Sequence, residues 1–188
     1  MGIVNELELW TRACADDGRA FALLFDEHRD RVFRHCLRLV DNPHDAEEVT
    51  ATSFLELWRR RNGIILVNGS VVPWLLVTAS NVARNVRRGT RRHRALLDAL
   101  PRTADARDYE QRTPVDIADQ GADNALTREI KLLSQTDAAL IVLVTLEDYQ
   151  ITDAAALLGL SAGAARTRLH RAKTKLRERL PQLVKEMP

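Results

Sequence analysis

The chain reads as an all-α protein of two small helical domains joined by an acidic flexible linker, the second a helix-turn-helix domain. Apolar residues recur at helical spacing almost throughout, and no bounded run alternates apolar with polar residues apart from a short piece at Ile64 to Val67. That periodicity lapses from Pro101 to about Gly121, where Pro101 and Pro114 interrupt a stretch of charged and small residues. The expected division is 1–100, a linker at 101–122, and 123–188. Charge follows the same division. Between Glu56 and Asp98 there is no acidic residue, yet Arg59, Arg60, Arg61, Arg84, Arg87, Arg88, Arg91, Arg92 and Arg94 lie there. A second basic stripe runs from Arg166 to Arg179, and the formal net charge of +2 conceals both. Two basic surfaces held apart by an acidic spacer point to two contacts with a polyanion, nucleic acid above all.

The elements follow in order. Leu7, Leu9 and Trp10 suit a short first helix with no role assigned to it. Phe21, Leu24, Phe25, His28, Val32, Cys36 and Leu39 then mark a long amphipathic helix that stops before Asp41-Asn42-Pro43. Asn42 is a good N-cap, Pro43 suits the first helical position, and Asp45, Glu47 and Glu48 put negative charge where the helix dipole favours it. This helix runs to about Arg61, where Asn62-Gly63 opens an irregular loop containing Asn68-Gly69-Ser70. Pro73 starts a helix reaching at least Gly89 and extending towards Leu100. Beyond the linker, Leu126, Ile130 and Leu133 set one helix and Ala138, Ile141, Val142, Thr145 and Leu146 another. Asp153 to Leu158, a Gly159-Leu160 turn and a helix from Ser161 to Leu180 complete the chain.

With 45% apolar and 29% charged residues the composition is that of a soluble globular protein. Its longest apolar runs are too short to span a bilayer, and the acids within Met1 to Trp10 do not suit a signal peptide, so a cytoplasmic location without membrane insertion is expected. Cys14 and Cys36 lack a paired metal spacing and read as small buried apolar residues, and adjacent His35 and Cys36 diverge by roughly 100° on a helix. No P-loop, catalytic triad or metal cluster is visible in the sequence, so neither enzymatic activity nor a cofactor is expected.

Three segments carry the functional reading. The C-terminal hairpin has a small residue, Ala155, where two helices cross, Gly159 to turn the chain, and Ser161 to cap the second helix. On that helix Ala165, Leu169 and Leu176 face inward, Arg166, His170 and Lys173 face outward, and Thr167, Arg168 and Arg171 flank them within reach of phosphates. The helix from Pro43 buries Ala46, Val49, Ser53 and Leu57, whereas Asp45, Glu48, Thr52, Leu55, Glu56 and Arg59 form another face that sets an exposed leucine among charges. Such a face suits a protein partner, or is an ordinary solvated surface. The helix from Pro73 presents Asn81, Arg84, Asn85, Arg88, Arg91 and Arg92, amides able to pair with bases among guanidiniums able to bind phosphate. The loop before it, with Asn62, Asn68 and Ser70, is suited to wall a pocket for an unstacked base. Trp58 and Trp74 sit at helical spacing beside apolar residues and read as core.

The order of these segments resembles the sigma-70 family, in its extracytoplasmic-function (ECF) group. The resemblance rests on Phe21, Leu24, His28 and Val32; on Asp45 through Thr50 with Phe54 to Arg60; on Pro73-Trp74-Leu75 with Asn81 to Asn85; and on Leu157 to Ser161 with Arg166 to Lys173. It covers about residues 20 to 180 and implies a dissociable initiation subunit of RNA polymerase. By resemblance, the Asp45 to Arg61 helix binds core RNA polymerase, residues 62–92 read and open the minus-10 promoter element with capture of a flipped non-template base, and the helix-turn-helix docks in the major groove at minus-35. The linker would thread the channels of the core, its acids mimicking nucleic acid. An anti-sigma factor is an expected partner.

The chain departs from the common family pattern at Asp153-Ala154-Ala155, where many members have Glu-Ile-Ala, and at Ala164-Ala165, where many have Thr-Val. Each buried methyl removed is worth about 0.8 kcal/mol, so the second domain is either less stable alone or packed more closely. The residues themselves also fit a free-standing helix-turn-helix transcription regulator or a nonspecific nucleic-acid-binding module, which affinity for core polymerase and steepness of salt dependence would separate.

Overall fold

A computed structural model describes residues 5–40, 42–99 and 121–180. The linker expectations, except at its last two positions, fall outside the described residues, and so does Asp41. Two groups of helices each surround a core of their own.

The first group contains α1 (Glu6–Cys14), α2 (Gly18–Leu39), α3 (Pro43–Arg60) and α4 (Val72–Ala99). Local chemistry sets their starts. The side chains of Asn5, Asp17 and Asn42 accept the free N–H groups of Leu7, of Arg19 and Ala20, and of Asp45, respectively. The expected Asn42-Pro43 start of α3 is borne out. Leu24, Val32 and Cys36 of α2, Val49, Phe54 and Leu57 of α3, and Leu75, Ala79 and Ala83 of α4 interlock with Leu9, Trp10 and Ala13 of α1. Thr50 and Ser53 lie inside this core, their hydroxyls satisfied by the carbonyls of Ala46 and Val49 at 2.7 Å each. His35 is buried, its Nε2 3.0 Å from Ser80 Oγ. Cys36 is buried as expected, but Cys14, the last residue of α1, is only half-buried, its Sγ pointing at the Arg61 carbonyl at 3.5 Å.

The second group contains α5 (Gly121–Ile130), α6 (Gln135–Leu140), α7 (Ile151–Leu157) and α8 (Ala162–Arg179). From α6 the chain continues through a wider π turn, Ile141–Leu146, closed by the Glu147 N–H on the Val142 carbonyl at 3.0 Å. Leu140, Ile141 and Leu143 fill the centre with Ala154, Ala155, Ala165, Leu169 and Leu176 around them. Ala154 and Ala165, where the common pattern has branched residues, are 1% and 0% exposed, so the alanines sit at the helix contact itself.

The two groups touch. Val77 of α4 packs against the second core, Arg31 of α2 pairs with Glu147, and Arg84 of α4 donates to the Leu133 carbonyl at 3.1 Å. Between them lies a narrow cleft of about 30 Å³ lined by Leu39, Ser80, Ala83, Ile130 and Val142 among others.

Candidate nucleic-acid and polymerase interfaces

The helix-turn-helix is formed by α7 and α8. Leu157 ends α7 because Gly159 takes a φ of +65°, which lets the Leu160 N–H reach back to the Ala155 carbonyl at 2.8 Å. That six-residue closure is a Schellman motif, and a side chain at Gly159 would be strained there. Ser161 then caps α8, its Oγ accepting the Ala164 N–H at 3.2 Å. Ala165, Leu169, Ala172 and Leu176 face inward, leaving Arg166, Thr167, His170 and Arg171 exposed and Lys173 half-buried. Arg168 differs from its neighbours. Its guanidinium lies 3.0 Å from Asp137 Oδ1, while the other carboxylate oxygen of Asp137 accepts the Ser134 hydroxyl in the cap of α6. Arg168 thus ties α8 to the rest of its own domain, and Arg179 does the same through Glu129 at 3.0 Å.

In the first domain the loop expected to be irregular contains a minimal hairpin turn. Val67 and Ser70 exchange backbone hydrogen bonds at 3.2 and 3.0 Å, and Asn68 and Gly69 between them have φ of +53° and +76°. This is the type I′ geometry that Asn-Gly favours, because both central residues must be left-handed. Asn68 sits exposed at the tip, and Asn62 is exposed in the 3₁₀ turn Arg61–Gly63. Ser70 is half-buried, and its hydroxyl accepts the Val72 N–H at 3.2 Å, so it also helps start α4. Along α4, Asn81, Arg84, Asn85 and Arg88 recur at helical spacing; Asn85, Arg88 and Arg92 are exposed, Asn81 and Arg84 half-buried. The Arg91 side chain lies outside the described residues.

Several arginines of the acid-free segment have partners within the first domain. Arg59 and Arg60 reach Glu56 at 3.3 and 3.0 Å, and Arg61 stacks 4.1 Å from the Trp58 ring centroid while pairing with Asp16. Trp58 in turn tilts against Phe21 at 5.0 Å between centroids. Trp58 and Trp74 both pack against the core, as expected.

The α3 face carries Glu48 and Arg59 exposed, Asp45, Thr52 and Glu56 half-buried, and Leu55 46% exposed. Leu55 is not isolated. It borders an apolar groove with Phe21, Phe25, Phe54 and Trp58, in which Phe25 and Phe54 meet edge-on at 4.7 Å. The phenylalanines fit helical core positions in the sequence, and only the partial exposure of Phe21 and Phe25 distinguishes them from ordinary core such as the buried Phe54.

A capped helix-turn-helix with an outward cationic face, and a second helix offering amides and guanidiniums, define a two-domain DNA-binding protein. The comparisons give the particular family. Residues 24–93 match the family model for sigma-70 region 2, and residues 123–176 match that for sigma-70 region 4. The RNA polymerase sigma factor CarQ of Myxococcus xanthus is 33% identical over 172 residues, 89% of this chain and 93% of the relative. The ECF RNA polymerase sigma factor SigE of Mycolicibacterium smegmatis is 32% identical over 160 residues, 84% of this chain and 60% of that protein. Among solved structures, the sigma factor RpoE in complex with the anti-sigma factor NepR from Bartonella quintana aligns over 86% of this chain and 97% of its own, with a TM-score of 0.54 at 18% identity. The chain belongs to the sigma-70 family, in its ECF group, and its function is promoter recognition for RNA polymerase.

Proposed function

We propose that the α3 face with its apolar groove binds core RNA polymerase, that the hairpin loop and α4 read and open the minus-10 element, and that α8 reads the minus-35 element. The domain assignment follows: 1–100 for the core and minus-10, 101–122 as linker, 123–188 for minus-35. What carries the reading is the pairing of two exposed cationic helices, α4 and α8, with an α3 face whose charges surround an apolar anchor. On α8, Arg166, His170 and Lys173 are assigned to base edges, and Ser161, Thr167, Arg168 and Arg171 to backbone contacts. On the first domain, Asn62, Asn68, Ser70, Asn81, Arg84, Asn85, Arg88, Arg91 and Arg92 are assigned to the opened strand. Unstacking costs a few kcal/mol per base step, which base capture and guanidinium stacking offset without nucleotide hydrolysis. The chain acts in the cytoplasm as a specificity subunit without catalysis of its own, the polymerisation chemistry belonging to the core. An anti-sigma factor covering the α3 face or the DNA surfaces is the expected regulator, in line with the RpoE–NepR complex.

A free-standing regulator would have no need of the polymerase face. The discriminating experiment is a binding titration with core polymerase using wild type and a Leu55→Asp, Glu48→Lys double variant. Removing the apolar anchor and reversing one charge should weaken core binding at least tenfold, or about 1.4 kcal/mol, with helical content retained. Unchanged affinity would remove α3 from the interface.

A further inference from the structure

Helix α1 lies ahead of the residues matched to region 2, which begin at 24. It contacts both ends of the loop that carries the hairpin. At the near end, Cys14 Sγ points at the Arg61 carbonyl and Asp16, just beyond the helix, pairs with the Arg61 guanidinium. At the far end, Glu6 Oε1 accepts the Val71 N–H at 2.8 Å. That amide lies between the hairpin and α4: Val71 follows Ser70 directly, and its carbonyl accepts the Leu75 N–H in the first turn of α4 at 3.0 Å.

The same Glu6 oxygen lies 3.1 Å from Nε2 of buried His28 on α2, outside the alignment of a hydrogen bond. Burial alone would raise the pKa of Glu6. His28, the Val71 N–H and the Ser70 hydroxyl outweigh it and hold the carboxyl below its ordinary value. A largely buried carboxylate therefore joins α1, α2 and the hairpin–α4 junction, with its charge favoured at a helix N-terminus. The nine residues of α1 span about 13 Å at 1.5 Å each, a rigid strut between the loop ends.

We propose that α1 braces the minus-10 loop and that Glu6 is a positioning residue for minus-10 recognition, fixing the angle at which the Asn68 tip leaves α4. This rests on the assignment of the loop to minus-10 reading. Asn68 has a positive φ and its hairpin is closed by only two hydrogen bonds, so its direction depends on how Val67 and Val71 are seated; both are buried, at 5% and 0% exposure. Loss of Glu6 would free the Val71 end without disturbing α8.

The test uses the full chain with core polymerase and measures open-complex formation on one promoter with intact or substituted minus-10 and minus-35 bases. Glu6→Ala should reduce opening several-fold and compress the ratio between intact and substituted minus-10 promoters, while the minus-35 ratio and core affinity stay at wild-type values. Glu6→Gln, which keeps an acceptor for the Val71 N–H, should recover most of the minus-10 ratio. Asn68→Ala reports on the loop itself. If Asn68→Ala compresses the minus-10 ratio and Glu6→Ala does not, the brace is wrong and the loop assignment stands. If Asn68→Ala leaves that ratio unchanged, the loop assignment fails and takes the brace with it. A proportional fall of both ratios that follows the melting temperature would reduce Glu6 to a stability residue and overturn the proposal; should Glu6→Ala not fold, Glu6→Asp, one methylene too short to reach Val71, takes its place in the same comparison.

Discussion

His35 shows how burial dominates a residue's chemistry. It is 6% exposed, and burial, with the nearby Arg38 charge adding to it, lowers its pKa from 6.5 to about 4. The imidazole stays neutral in the fold and contacts Ser80. Above about pH 6.5 it is neutral folded or unfolded and pH has no leverage through it. As pH falls towards 4 the unfolded chain takes up a proton that the fold refuses, so stability declines across that window and levels off below it. The loss attributable to this histidine is on the order of 3 kcal/mol. Chemical denaturation from pH 7.5 to 4 should show it, and His35→Gln should flatten the slope over that range. Cys36 on the same helix is inert for the same reason, its thiol pushed up to about 11 by burial.

At the scale of elements, what the sequence made legible was what is local. The cap of α3 at Asn42-Pro43, the cap of α8 at Ser161 and the turn at Gly159 each depend on residues within a few positions, and all three formed as expected. The Asn68-Gly69 turn was not expected, the segment reading as an irregular loop: the pair favours a type I′ turn, but it closes a single bridge between Val67 and Ser70, without the flanking strands that mark a hairpin in sequence. The π turn at Ile141–Leu146 was not legible, because an all-apolar run carries no mark of which hydrogen-bond register it will take. Nor were the partners of Arg84 and Arg168, which lie 49 and 31 residues away and are set by packing of whole helices. For α8 the assignments differ in kind and so do their consequences. In polymerase-bound form, Arg166→Ala should cost about 1–3 kcal/mol of discrimination at one minus-35 position, whereas Arg171→Ala should weaken binding to all sequences and lower the salt slope by about 1. Binding titrations against salt and single-base substitutions distinguish the two.

For the whole molecule, the contact between the two domains sets the relation of the two surfaces proposed to bind DNA. It is held by Val77 in the second core, by Arg84 on the Leu133 carbonyl and by Arg31 on Glu147. Arg84 spends one of five guanidinium donors there, which leaves others for phosphate or base. Arg31 is half exposed while Glu147 is largely covered, so their pairing is worth about 1 kcal/mol or less after solvent screening. Arg31→Glu should therefore loosen the domains, seen as an increase in radius of gyration by solution scattering, and adding Glu147→Arg should reverse it. An unchanged radius in the single variant would mean that Val77 and the Arg84 hydrogen bond hold the domains without the ion pair.

Promoter-directed initiation by this chain, through two separate DNA surfaces, is tested most directly by transcription with purified cognate core polymerase and a genomic promoter library, comparing wild type with Asn85→Ala and Arg166→Ala. Wild type should yield transcripts whose start sites share two upstream sequence blocks, with Asn85→Ala relaxing only the nearer block and Arg166→Ala only the farther one. Transcripts that are absent despite core binding, or that lack shared upstream blocks, would contradict it.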